Sequence, residues 1–117
     1  MIFTSEMNIE MCSVNAKNGV SRGRIFITKK YKTFVNDMIA NFKRDYVDLR
    51  KEGADYKLTI HQRTYKDIGN CIKPIEDALT KAEIITDDRF ILKEVIEKIP
   101  LKRGKLDYLR VQVEIIE

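Results

Sequence analysis

Apolar residues recur every three or four positions in two segments, which predicts two amphipathic helices. The first spans residues 30–49, and its apolar positions form one stripe that we expect to be buried. The stripe consists of Tyr31, Phe34, Val35, Met38, Ile39, Phe42, Tyr46 and Leu49. The second helix spans residues 70–82. Proline is tolerated only in the first turn of a helix, so Pro74 places the helix start near Asn70, which we expect to be its N-cap.

Alternation of apolar and polar residues predicts strands in most of the remaining chain. Segments 7–14 and 24–28 flank a Gly/Asn/Ser loop and are predicted to form a β-hairpin, and segment 56–65 is predicted to be a strand. Segments 90–99 and 106–116 flank the turn 102–105 and are predicted to form a second hairpin. The order β-β-α-β-α-β-β predicts an α+β fold, in which a mixed β-sheet carries two helices packed on one face.

Length and composition favour a single globular domain over residues 1–117. Hydrophobic residues make up 44% of the chain and charged residues 34%, which is enough apolar surface to build a core. The formal net charge is only +4, so composition alone does not indicate nucleic-acid binding. No apolar run approaches membrane-spanning length and we see no signal peptide, so we expect a cytoplasmic protein without membrane partners.

Cysteine and histidine content argues against a zinc or copper site. Cys12 and Cys71 are far apart in sequence, and His61 is the single histidine. We expect both thiols to be reduced, although their spacing also permits a disulfide, and we expect His61 to be structural or solvent-facing. Any metal must therefore be a hard cation held by carboxylates.

Basic residues cluster between positions 17 and 32, with no acidic residue among them. Such a cluster is either a solvated surface or a phosphate-binding one, since phosphate binding depends on local cation density. The cluster consists of Lys17, Arg22, Arg24, Lys29, Lys30 and Lys32, and a second basic turn holds Lys102, Arg103 and Lys105.

Acidic residues surround the second predicted helix. Asp67 precedes it, Asp77 lies within it, and Asp87 and Asp88 follow it. A strand that pairs beside segment 56–65 after this helix would bring Asp88 close to Asp67. Crowded carboxylates repel each other, and Mg²⁺ relieves this repulsion with one or two carboxylates plus water and substrate phosphate. Lys73, one turn into the helix, would face the same site, whereas the alternative is an ordinary Asp-Asp turn.

The segment 66–82, KDIGNCIKPIEDALTKA, followed by Asp87 and Asp88, resembles the RusA family of Holliday-junction resolvases. The family signature is similar to D-x-D-N-x-x-K-x-x-x-D-A-L followed by a D-D pair, and it matches here without gaps. Weaker similarity extends to Asn15 and to the basic loop at Arg22 and Arg24.

The resemblance implies a homodimeric, Mg²⁺-dependent endonuclease, with Mn²⁺ as a substitute, that resolves four-way DNA junctions. Such enzymes are often encoded by phages or prophages, which places them in the cytoplasm of a bacterial or phage-infected host cell. The matching positions imply catalytic roles for Asp67, Asp88 and Lys73, and metal binding by Asp67, Asp88 and Asp87. Together with the basic cluster, they imply DNA binding by Asn15, Arg22, Arg24, Lys29, Lys30, Arg63, Lys66, Asn70 and Lys73.

Gly69 is the one departure from the motif, because it stands where the second catalytic aspartate is expected. Glycine has no ligand atom, so three expected carboxylates become two, unless Asp87, Asp77 or Glu76 replaces the missing one. Three hypotheses follow: a RusA-type resolvase, a catalytically impaired member that binds branched DNA without cutting it, and an unrelated α+β protein.

Overall fold

The computed structural model describes residues 1–12, 18–21, 24–64, 72–100, 104 and 106–116, with residues 18–21 and 24–27 described by their backbone. In the described residues, a 3₁₀ turn at Asp88–Phe90 leads into the strand Ile91–Lys98. The elements are β1 (Ile2–Asn8), β2 (Asn18–Ser21), β3 (Arg24–Ile27), α1 (Lys29–Arg44), β4 (Asp55–Arg63), α2 (Ile72–Lys81), β5 (Ile91–Lys98) and β6 (Tyr108–Ile116).

The strands form a mixed four-stranded sheet and a separate two-stranded hairpin. The order in the sheet is β1-β6-β4-β5, and β2 pairs with β3 in the hairpin. Strand β6 runs antiparallel to β1 and β4, whereas β5 runs parallel to β4. The predicted α+β class, with a mixed sheet and two helices, is confirmed.

The two helices cover one face of this sheet. Strand β4 alternates strictly, so that Tyr56, Leu58 and Ile60 are buried while the residues between them remain partly exposed. The buried stripe of α1 packs on the same face, and the ring of Phe42 meets that of Phe3 edge-on at 5.5 Å. The apolar stripe predicted from the sequence is therefore the core-facing side of α1.

The predicted pairing of segment 7–14 with segment 24–28 is wrong. The first strand is Ile2–Asn8, and it pairs with β6 at the far end of the sequence. Its buried positions include a serine: Ser5 Oγ donates a hydrogen bond to Asp45 Oδ2 at 2.7 Å. A polar residue at a buried position interrupts the apolar alternation, so the pattern did not mark this strand. The partner of β3 is instead Asn18–Ser21.

The second predicted hairpin is also wrong. Strands β5 and β6 both pair with β4, which lies between them. The chain passes from β4 through α2 to β5, and such a crossover joins parallel strands. Alternation locates a strand but carries no information about its neighbour.

Helix α1 is shorter than predicted, because it ends at Arg44. In α1, Thr28 is the N-cap, and its side chain accepts a hydrogen bond from the Tyr31 N–H at 3.3 Å. Leu49 is buried beyond the helix end, where its carbonyl accepts a hydrogen bond from the Tyr56 hydroxyl at 2.8 Å. Pro74 lies in the first turn of α2, as predicted, whereas Asn70 is outside the described residues. No helix within the described ranges is long and apolar enough to cross a membrane.

The histidine and one cysteine occupy structural positions. His61 lies on the face of β4 that the helices leave open, and its Nε2 is 3.0 Å from Glu97 Oε2. Cys12 is a buried thiol in the core, and Cys71 lies outside the described residues.

Candidate active site

The first turns of α2 bring Lys73 into contact with Asp88. Lys73 Nζ donates to Asp88 Oδ2 and lies 3.2 Å from Asp77 Oδ1, one helical turn away. These partners raise the pKa of Lys73, chiefly through the hydrogen bond to Asp88. The same bond lowers the pKa of Asp88, so both groups are charged at neutral pH.

The strand that follows α2 pairs beside segment 56–65, as the argument from sequence expected. Ile91 pairs with Tyr56, near the start of β4. Because β4 and β5 are parallel, residues that precede β5 lie at the end of the sheet where β4 begins. Asp67 follows the opposite end of β4 and lies outside the described residues, so the expected meeting of Asp67 with Asp88 stays a prediction.

One further acidic side chain, Glu76, adjoins Asp88. Glu76, on α2, is half-buried and makes a side-chain contact with Asp88. Burial raises the pKa of Glu76 to about 8, and a hydrogen bond to Glu94 together with the charges of Glu94 and Asp88 adds to the effect. Two carboxyl groups can share a hydrogen bond only if one keeps its proton, so Glu76 keeps its proton near neutral pH.

A register shift in β5 places Glu94 beside Glu76. Tyr56 pairs with Ile91 but Lys57 pairs with Lys93, so Leu92 is an extra residue in β5. After the shift, Glu94 pairs with Leu58 and so lies on the sheet face that carries α2. Without the extra residue, Glu94 would pair with Thr59 and point to the opposite face.

The amino-terminal end of α1 lies against the same site. Tyr31 is buried, and the pKa of its hydroxyl is raised by burial and then by the charge of Asp77. Lys29 and Lys30 directly precede Tyr31 and are exposed, and Lys30 Nζ is 2.9 Å from Glu10 Oε1. The two lysines line a separate hollow together with Glu10 and Asp37.

A shallow cleft of about 250 Å³ opens above these side chains. Asp87 lines it, but one of its oxygens accepts a hydrogen bond from the Arg89 N–H at 3.0 Å and caps the 3₁₀ turn. The lining residues are Lys73, Asp77, Thr80, Lys81, Asp87 and Asp88. The cleft presents carboxylates and ammonium groups to solvent, which suits a charged ligand better than an apolar one.

The structure brings some of the predicted site residues together in one cleft and places another outside it. Lys73, Asp87 and Asp88 line one cleft. Arg63 is engaged elsewhere, because its guanidinium donates to the Leu106 carbonyl at 3.1 and 3.3 Å. Arg24 is described by its backbone alone, and the predicted residues outside the described ranges are Asn15, Arg22, Lys66, Asp67, Gly69 and Asn70.

A comparison with protein families identifies the family of this chain. A family model described as endodeoxyribonuclease RusA matches residues 10–116, nearly the whole chain. The chain belongs to the RusA endodeoxyribonuclease family. No curated protein matches the chain closely enough to count as a relative. RusA endonucleases act on Holliday junctions, and nucleases of this kind generally depend on a divalent metal.

The donor chemistry of this RusA site suits a hard cation. Carboxylate oxygens are the ligands that Mg²⁺ prefers, and one or two suffice when water and substrate phosphate complete the shell. Asp88 and Glu76 adjoin each other and provide two. Within the described ranges, no three His, Cys, Asp or Glu side chains are grouped to hold a metal ion.

Two residues of this site were not identified from the sequence. Glu94 lies in a strand whose register only the bulge establishes, and Tyr31 looked like one more member of the apolar stripe. Glu76 had a local signal, since it lies three positions after Lys73 and therefore on a neighbouring part of the helix surface.

The raised pKa of Glu76 predicts a measurable effect on stability. Between about pH 4.5 and 8, the folded chain keeps a proton at Glu76 that the unfolded chain releases. The free energy of unfolding contributed by this group therefore falls as pH rises through that window. We expect Glu76→Gln to raise the melting temperature by a few degrees at pH 8 and less at pH 5, because a neutral amide can donate to Glu94 without repulsion.

The measurement is thermal unfolding followed by circular dichroism in EDTA, with Glu52→Gln as the matched control at an exposed position. The control should show no such pH-dependent difference from the unmodified chain. If Glu76→Gln lowers the melting temperature at pH 8, the carboxyl pair is not a destabilising contact.

Proposed function

We propose that this RusA family member is a structure-selective endonuclease that resolves four-way DNA junctions by metal-dependent phosphodiester hydrolysis in recombination and repair. Membership of the family supports endonuclease activity. The contact between Lys73 and Asp88 supports an active site at this position, since it joins two widely spaced elements of the family motif. That contact is the observation on which the proposal rests.

The acidic residues and the lysine have complementary roles in this proposal. Asp67 and Asp88 would hold Mg²⁺, or Mn²⁺ in its place, with Asp87 adjoining them. The cation supplies Lewis-acid stabilisation of the phosphate and a more acidic water. Lys73 orients the Asp88 carboxylate in the free protein, and its ammonium group lies where it can offset charge that develops on the phosphate oxygens.

The proposed DNA surface extends from the active site to the basic cluster. A two-fold homodimer would present two equal sites to the paired strands of a junction, through one self-complementary interface. We place this activity in the cytoplasm of a bacterial or phage-infected host cell, carried by a single domain over residues 1–117. The proposed DNA-binding residues are Asn15, Arg22, Arg24, Lys29, Lys30, Arg63, Lys66, Asn70 and Lys73.

Single-turnover cleavage of an end-labelled four-way junction tests the proposal directly. With Mg²⁺ or Mn²⁺, we expect paired nicks in strands of like polarity, and we expect EDTA to stop the reaction. A linear duplex of the same length and sequence is the control and should be cut far more slowly. Equal cleavage of both substrates, or cleavage of neither, would contradict a junction resolvase.

Gly69 supports a second candidate, a family member that binds branched DNA without cutting it. Such a protein would lack a carboxylate of the metal site but keep its basic surface. Its junction affinity would fall steeply with salt, because each neutralised phosphate releases condensed counterions. Tight, salt-sensitive junction binding without nicking in Mg²⁺ or Mn²⁺ would favour this candidate.

A further inference from the structure

We propose that a second cleft, beside Asp88, binds the sugar-phosphate backbone of the junction strand next to the cleavage point, through Lys51 and Arg89. This inference rests on the proposed function, since it takes junction DNA as the ligand and Asp88 as part of the active site. Neither Lys51 nor Arg89 belongs to the DNA-binding residues proposed above, so the cleft adds a new part to the DNA surface.

The second cleft lies between the two segments that lead into β4 and β5. These strands are parallel, so the segments that precede them lie at the same end of the sheet. A hydrogen bond from the Leu49 N–H to the Ile84 carbonyl at 3.0 Å holds the two segments together. The cleft has a volume of about 480 Å³, and it is lined by residues 50–54 and by Thr86, Arg89 and Phe90.

A short segment of chain separates the second cleft from the shallow cleft of the candidate active site. Thr86, Arg89 and Phe90 line the second cleft, whereas Asp87 and Asp88 line the first. Arg89 follows Asp88 directly, and the Cα atoms of consecutive residues are about 3.8 Å apart. Each strand of duplex DNA carries one phosphate per about 3.4 Å of helix axis. A strand with its scissile phosphate at Asp88 therefore brings a neighbouring phosphate within reach of the Arg89 side chain.

The guanidinium of Arg89 is available to an external anion. Its Cζ lies 4.9 Å from the centroid of the Phe90 ring, and the side chain is 74% exposed. Its Nε is 3.8 Å from Asp87 Oδ2, which is too long for a hydrogen bond. Contact with the ring restricts the side chain, and a planar guanidinium can donate two parallel hydrogen bonds to one phosphate.

The charge balance of the second cleft favours an anionic ligand. Arg50 forms part of its wall and is neutralised by Asp48, to which it donates two hydrogen bonds at 3.0 Å. Lys51 is exposed, and no salt bridge joins it to an acidic residue among the described side chains. Of the described residues that line the cleft, only Glu52 is acidic. Lys51 and Arg89 therefore outweigh it, and phosphate binding depends on such local cation density.

Junction affinity measured by fluorescence anisotropy in EDTA, over a range of salt concentrations, tests the inference without cleavage. Each phosphate contact contributes a slope of roughly −0.9 to the plot of log affinity against log salt. We expect Lys51→Gln and Arg89→Gln each to reduce the magnitude of that slope by about 0.9, and the double variant to reduce it by about 1.8. Arg89→Lys keeps the charge and should retain the slope.

Two further variants control for the overall change in charge. Lys43→Gln removes an exposed charge from α1, next to Arg44, which contacts Glu6 on the opposite edge of the sheet from β5. It should leave the slope unchanged. Glu52→Gln removes the acid of the cleft and should strengthen junction binding. All the substituted side chains are exposed, so the variants should fold, and a thermal melt of each verifies this.

The outcomes separate this inference from the proposed function. If Lys51→Gln and Arg89→Gln reduce the slope no more than Lys43→Gln does, the cleft does not bind DNA and the proposed function stands. If they reduce the slope but the unmodified chain cuts no junction in Mg²⁺ or Mn²⁺, the cleft is a DNA-binding site and the proposed function fails. A chain that binds no junction at any salt concentration would overturn both.

Discussion

Asp88→Asn is expected to lower the single-turnover rate of junction cleavage by about three orders of magnitude, since a metal ion contributes several kcal/mol to the transition state. The amide that replaces the carboxylate has one neutral oxygen, so it binds a divalent cation weakly. The substitution also removes the main partner of Lys73, whose Nζ donates to Asp88 in the free protein. The measurement is cleavage of a labelled four-way junction with enzyme in excess over DNA, in Mg²⁺ and in Mn²⁺.

Asp87→Asn is the matched control for this prediction, because it removes the same charge one residue away. An asparagine oxygen can still accept from the Arg89 N–H, so the cap of the 3₁₀ turn should survive. We expect a loss of less than about tenfold, since one carboxylate oxygen of Asp87 is already used in this cap. Equal losses in the two variants would mean that Asp87 is as important a ligand as Asp88.

Gly69→Asp is expected to raise the cleavage rate by about two orders of magnitude, the size of effect associated with a misplaced catalytic group. The new carboxylate completes the D-x-D-N motif two residues after Asp67, and residues two apart point to the same side of an extended segment. Single-turnover cleavage by the two chains measures the difference.

Gly69→Asn controls for the size of the new side chain without adding a charge, and we expect it to leave the rate nearly unchanged. Junction affinity measured in EDTA should fall only slightly in Gly69→Asp, because one negative charge is added near the phosphate path. If the unmodified chain already cuts as fast as Gly69→Asp, the site has all the carboxylates that it needs and Gly69 does not lower the cleavage rate.

Local sequence patterns were sufficient to predict the two helices, the fold class and part of the candidate site. The stripe on α1 followed from periodicity, and the place of Pro74 in the first turn of α2 followed from the constraint that proline places on a helix. The motif also named Lys73 and Asp88, which the structure brings into contact. These features depend on residues close in sequence, or on a motif whose spacing itself carries the information.

Strand neighbours and the acid pair depend on residues far apart in sequence. Ser5 is buried at a position where it meets Asp45, the residue that caps the end of α1, and no local pattern reveals such a partner. Glu94 reaches Glu76 only because β5 runs parallel to β4 and gains one residue at Leu92. Pairing partners and strand register are selected by the packing of the whole sheet, and a shift of one residue reverses the face on which a side chain lies.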